Sequence, residues 1–128
     1  RTSPSVAVAE HVPSFVGVYM TMVGRAEYFV SIRADQTFAE YWEAWFGRVP
    51  DDITPNASGT WEFVCDRLEL TWRSVGLYPA SLTGTAVVLP SGRIIWPMAY
   101  LLDRGANVSP TMTMERAGAA YARRRRAP

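Results

Sequence analysis

Residues 27–46 read EYFVSIRADQTFAEYWEAWF. Two runs rich in aromatic and β-branched residues flank Ala34-Asp35-Gln36-Thr37, a polar break of the kind that closes a β-hairpin. In the second run Phe38, Trp42 and Phe46 share one parity, and Tyr41 and Trp45 the other. Successive strand residues point to opposite faces, so this strand carries large rings on both sides. That arrangement asks for a thick core or for a ligand.

Reading outward, strands are predicted at 17–24, before the hairpin, and at 59–65 and 67–73, after it. In the last two, Trp61, Phe63 and Cys65 alternate with Thr60, Glu62 and Val64, and Leu68, Leu70 and Trp72 with Arg67, Glu69, Thr71 and Arg73. A period of two, apolar in and polar out, marks a sheet with one wet face. By this pattern Trp61, Phe63, Leu68, Leu70 and Trp72 are core. A further hairpin, 82–89 and 93–102, turns at Pro90-Ser91-Gly92. Pro97 inside its second arm implies an edge or a bulge, because it has no N–H to donate. A short last strand is expected at 111–114.

Eight short antiparallel strands in up-and-down order predict an all-β closed barrel, since closure removes unpaired edges. The tight turns at 34–37, 65–67 and 90–92 fall at one end. The long loops 47–58, 74–81 and 103–110 fall at the other, which is the expected mouth. Residues 1–14 read as an extended N-terminal arm plugging the tight-turn end, 15–116 as the barrel domain, and 117–128 as a basic C-terminal tail.

The 128 residues are 48% hydrophobic and include five Trp, six Tyr and five Phe. A chain of this length and composition forms one domain and buries roughly 65% of the surface its unfolded form exposes. All thirteen basic residues are Arg, a composition read as the codon bias of a GC-rich bacterial genome. Four of them are Arg123 to Arg126, which leaves residues 1–122 with nine Arg against twelve acids, a net of −3. A weakly acidic body with a basic tail argues against a nucleic-acid-binding face. No apolar run approaches the ~20 residues of a membrane span. A lone Cys65 excludes an intramolecular disulfide. As the sequence favours neither export nor anchoring, the bacterial cytoplasm is slightly preferred.

Gly17-Val18-Tyr19 at the start of the first strand, Ile32-x-x-Asp35-Gln36-Thr37-Phe38 and Gly59-Thr60-Trp61 together resemble the lipocalin-like (calycin) small β-barrels. The resemblance spans about 17–102 and implies an eight-stranded barrel with an interior for a small hydrophobic molecule. Tyr19 stands where Trp is usual, and no disulfide or helix after the barrel is legible in the sequence.

With Ile32 and Phe38 inward, parity turns Tyr28, Val30, Glu40, Trp42, Ala44 and Phe46 inward as well. Glu40 is then the one acid on an apolar face, where a carboxyl without a partner has a raised pKa and can act as acid or base. The expected lining near the mouth is Tyr28, Trp42, Phe46, Trp61, Trp72 and Tyr100, with Glu40 and Tyr100 as candidate catalytic groups. His11 is the only histidine and Cys65 the only cysteine, which excludes a multi-His site and argues against zinc or haem ligation in a standard set, so no cofactor is expected. Cys65 reads as a buried small hydrophobe. Two functions follow: binding of a small hydrophobic or aromatic molecule inside the barrel, or a cofactor-free cyclase or isomerase acting on a polyketide-type substrate by shaping it.

Overall fold

A computed structural model describes residues 13–42, 54–76 and 78–118. Its elements are β1 (Gly17–Val23), β2 (Ala26–Ile32), β3 (Thr37–Trp42), β4 (Ala57–Val64), β5 (Arg67–Val75), β6 (Tyr78–Pro79), β7 (Thr83–Val88), β8 (Ile94–Pro97), a five-residue helix α1 (Ala99–Asp103) and β9 (Thr111–Arg116). Each strand pairs antiparallel with the next around a ring, β1-β2-β3-β4-β5-β7-β8-β9, and β9 closes it against β1. The result is the expected eight-stranded up-and-down barrel, with the two-residue β6 a spur on β5 at Ser74 and Val75.

Closure follows from alternation. Leu68, Leu70 and Trp72 of β5 are buried while Arg67, Glu69 and Arg73 face solvent, so the strand can lie only one way round. Ile32 lies opposite Phe38 and Val30 opposite Glu40, which fixes the inward face of the β2–β3 hairpin. Cys65 and Asp66 form the β4–β5 turn with φ of 52° and 66°. Positive φ at both central positions matches the right-handed twist of the flanking strands. This turn exposes Cys65, correcting the expectation of a buried thiol. β4 bulges between Ser58 and Gly59. A Cβ on Gly59 would collide with the Thr71 carbonyl oxygen and lie 2.8 Å from Trp72 Cα, so only glycine fits that crossing.

At the tight-turn end Phe15 covers the barrel; the expected arm falls, in residues 1–12, outside the described residues. Phe15 packs edge-on to Trp61, with ring centroids 5.2 Å apart, and stacks on Phe63 at the same separation. Phe63 is nevertheless 48% exposed; it lies past the last inward layer, at the rim, and is not the core residue its parity suggested. The Tyr19 hydroxyl donates to the Phe15 carbonyl at 2.7 Å. Arg116 donates to the Val16 and Ser14 carbonyls, with its guanidinium 4.7 Å from the Tyr19 ring centre. These bonds tie β1, β9 and residues 14–16 together.

The ends of β3, β5 and β8 that lead into the longer connections lie at the other end, residues 43–53 falling outside the described residues, and there the strand pattern is corrected. The sequence pattern predicts the seventh barrel strand over 93–102; instead β8 stops at Pro97 and the chain turns into α1. Proline cannot donate to the ladder, and the next amide, Met98, donates to the Pro110 carbonyl at 2.9 Å. Tyr100 therefore sits on a helix. On the outer wall Met20, Phe29, Ala39 and Tyr41 are buried together with Ala117. No helix among the described residues is long and apolar enough to cross a membrane.

Candidate functional site

The inward face of β3 carries Phe38 and Glu40, and Glu40 is completely buried. Three donors from three other strands converge on its carboxyl. Tyr28 Oη from β2 and Trp96 Nε1 from β8 (3.0 Å) both donate to Oε1, and Trp72 Nε1 from β5 donates to Oε2. Phe38 closes the cluster, edge-on to Trp72 at 5.2 Å and to Trp96 at 5.3 Å between ring centres.

Two opposing effects act on this carboxyl. Removal from water raises its pKa above the ordinary glutamate value, and this effect is the largest; the bonds from Tyr28, Trp72 and Trp96 pull it back down. Burial disfavours the charged form, whereas donors to the carboxylate favour it. Among the described residues no cation figures in the groups acting on Glu40. The Tyr28 phenol is pushed far up, first by burial, then by the Glu40 charge and its hydrogen bond, and finally by Tyr100. Tyr28 thus keeps its phenolic proton at any ordinary pH.

Tyr28, Glu40, Trp72 and Trp96 expose no surface, so no water-sized gap touches them. The middle of the barrel is filled by side chains, as an eight-stranded barrel can be. Among the described residues one hollow lies at the long-loop end, against Val75, Tyr78, Leu82 and Arg104, and another on the tight-turn side, against Gln36, Trp61, Glu69 and Arg73. Trp42 lies opposite Tyr28 in the β2–β3 ladder and is 37% exposed. Its amide donates to Asn56 Oδ1 at 2.8 Å, the Asn56 amide donates to the Glu40 carbonyl at 2.8 Å, and Gly76 N–H donates to the Asn56 carbonyl. Asn56 thereby joins the ends of β3, β4 and β5. Tyr100 of α1 is buried at this end, with the Arg104 guanidinium 5.7 Å from its ring centre.

The residues named from the sequence separate accordingly. Tyr28, Trp72 and Glu40 meet in the sealed middle, while Trp42 stands at the long-loop rim. Trp61 lies at the opposite end, donating its indole N–H to the Arg33 carbonyl at 2.9 Å, so it does not share a surface with Trp42. Phe46 falls outside the described residues. Two participants escaped the sequence reading. Trp96 shares its parity with buried Ile94 on β8 and alternates with the half-buried Ile95, a period-two signal that was available. Asn56 acts through one side-chain acceptor, for which no periodicity exists. Among the described residues no group of three or more His, Cys, Asp or Glu lies together.

Comparison with protein-family models, with curated proteins and with solved structures finds no match to this chain.

Proposed function

We propose that the barrel binds a small hydrophobic or aromatic molecule at its long-loop end, against Trp42 and above the Glu40 cluster. The observation that carries this reading is Trp42 itself. It is a large ring of inward parity, in register with buried Tyr28, yet more than a third exposed at the rim. A ring whose backbone is held by the ladder and which is partly exposed offers an apolar surface at low ordering cost. The closed antiparallel barrel is compatible with a lipocalin-like protein, and membership of that group is part of the proposal. Filling of the barrel middle supports a ligand seated at the rim, not one swallowed to the depth of Glu40.

An apolar fluorescent probe titrated into the protein tests the reading. Binding is expected to quench Trp emission, and Trp42→Ala should weaken it at least several-fold while Arg67→Ala on the outer wall leaves it unchanged. Equal binding by both variants, or no binding by the wild type, removes the ligand reading and leaves a barrel with a structural role.

A second reading, a cofactor-free cyclase or isomerase, is favoured by one observation. Burial raises the pKa of the Glu40 carboxyl, and that carboxyl is bonded to the Tyr28 phenol, a pair of proton-bearing groups through which a proton could be relayed toward the rim. Glu40→Gln would then lower turnover of a polyketide-type substrate while leaving probe binding at Trp42 intact; unchanged turnover would exclude Glu40 as the acid.

A further inference from the structure

The Glu40 carboxyl gathers donors from β2, β5 and β8 onto β3, so one group spans the barrel from wall to wall. We propose that Glu40 is a proton-operated latch, protonated when the barrel is closed and, once ionised, loosening the barrel at its long-loop end. The proposal is independent of what, if anything, binds at Trp42.

The chemistry of the two forms supports it. A neutral carboxyl keeps both indole N–H bonds and gives its own proton to Tyr28 Oη, the one partner able to accept. An ionised carboxyl keeps all three donors but carries a full buried charge with no opposite charge beside it among the described residues. The surroundings offer no relief. Inward from β2 comes the Tyr28 phenol, and from β1 Tyr19, whose hydroxyl is engaged by Phe15. β4 presents Ala57, Gly59 and Trp61, β7 presents Ala86, and β9 presents Met114. α1 adds the Tyr100 phenol, acting on Tyr28. Arg116 lies over Tyr19 and is bonded to residues 14 and 16 at the tight-turn end. Water can reach the charge most cheaply from the long-loop end, where Trp42 is already partly open.

The sign is fixed by linkage. A group whose pKa is higher in the folded than in the unfolded state stabilises the fold fully below the unfolded value. That contribution is lost as pH rises through the folded value. The latch therefore holds in acid and yields in base.

Urea midpoints, followed by circular dichroism from about pH 5 to about pH 9, test this for wild type, Glu40→Gln and Trp96→Phe. The wild type should lose stability as pH rises, its folding constant dropping by up to about tenfold per pH unit within a one-proton window. Glu40→Gln should lack that fall. Trp96→Phe removes a pure donor that favours the anion, so its fall should shift to higher pH. Binding of an apolar dye and exchange of the Trp72 indole proton should rise with the same midpoint in wild type. If Glu40→Gln does not fold, the shift in Trp96→Phe decides alone, and no shift overturns the latch. Parallel pH curves for wild type and Glu40→Gln overturn it too. So does a stability change without dye uptake, which would mean that Glu40 titrates in place.

Discussion

Trp72 and Trp96 stand edge to face, ring centroids 6.2 Å apart and planes at 67°, and each aims its indole N–H at the carboxyl of Glu40. They come from β5 and β8, which are not neighbours, because β7 lies between them. What allows the meeting is the smallness of β7 on its inner side. Ala86 is buried there, and a Cβ on Gly84 would lie 3.0 Å from Trp72 Cζ3. The two indoles lean over β7 because that strand leaves them room, and Glu40 gives both N–H groups one acceptor.

Replacing either indole by phenyl should therefore cost twice, through lost volume and through a donor missing from a buried carboxyl. Trp72→Phe and Trp96→Phe are each expected to lose about 2–4 kcal/mol in urea unfolding. Trp42→Phe, at the rim, should lose less than about 1 kcal/mol. The double variant should fall short of the sum, since both residues serve the same acceptor. Additive losses would show that Glu40 does not couple them.

Glycines in this barrel divide by what surrounds them. Gly59→Ala places a methyl against the Thr71 carbonyl and 2.9 Å from the Phe38 ring, and backbone cannot step aside. A loss above about 2 kcal/mol is expected. Gly92 has a φ of 90° with nothing near its missing Cβ, so Gly92→Ala should cost only the conformational strain, about 1 kcal/mol. A thermal melt that ranks them the other way would remove the close crossing at Gly59.

The barrel was legible because its strands obey one rule, apolar in and polar out, and its turns fall at regular intervals. Leu68, Leu70 and Trp72 follow that rule and are buried. Phe63 and Cys65 follow it too, yet they are exposed, because parity gives a direction and not a depth. At the rim an inward side chain has nothing left to point into. Tyr100 was misplaced on a strand because an apolar run after Pro97 reads the same for a short buried helix and a strand. Glu40 was legible as the one inward acid. Tyr28 and Trp72 were legible as inward rings beside it, but that they and Trp96 donate to one carboxyl was not, since they lie 12, 32 and 56 residues away and only the closed ring brings them together.

Acid should act on a different group and in the opposite direction. Asp35 accepts from the hydroxyl and the amide of Thr37; the hydroxyl bond first of all holds its carboxyl below the ordinary value. A depressed pKa gives stability that is present above the unfolded value and lost as pH falls through the folded one. Asp35→Asn should flatten the acid limb of the stability profile and leave the alkaline limb to Glu40. Proton titration of Asp35 by NMR would check the direction, and a midpoint at or above the usual aspartate range would contradict it.

Asn56 offers the sharpest separation of stability from binding at the long-loop end. Its side-chain oxygen fixes the backbone of Trp42 at 2.8 Å, whereas its own amide and carbonyl bond Glu40 and Gly76 whatever the side chain. Asn56→Ala thus removes one hydrogen bond and leaves the strand ends joined, a loss of about 1 kcal/mol. Asn56→Asp keeps an acceptor for the Trp42 amide and should retain most of it. If Trp42 is the binding ring, Asn56→Ala should weaken an apolar probe several-fold, with Asn56→Asp closer to wild type, because an unanchored ring must be ordered when the probe arrives. Quenching titrations alongside urea midpoints give both quantities on the same samples. Full binding by Asn56→Ala would mean that the orientation of Trp42 is irrelevant, and the rim would lose its claim as the binding surface.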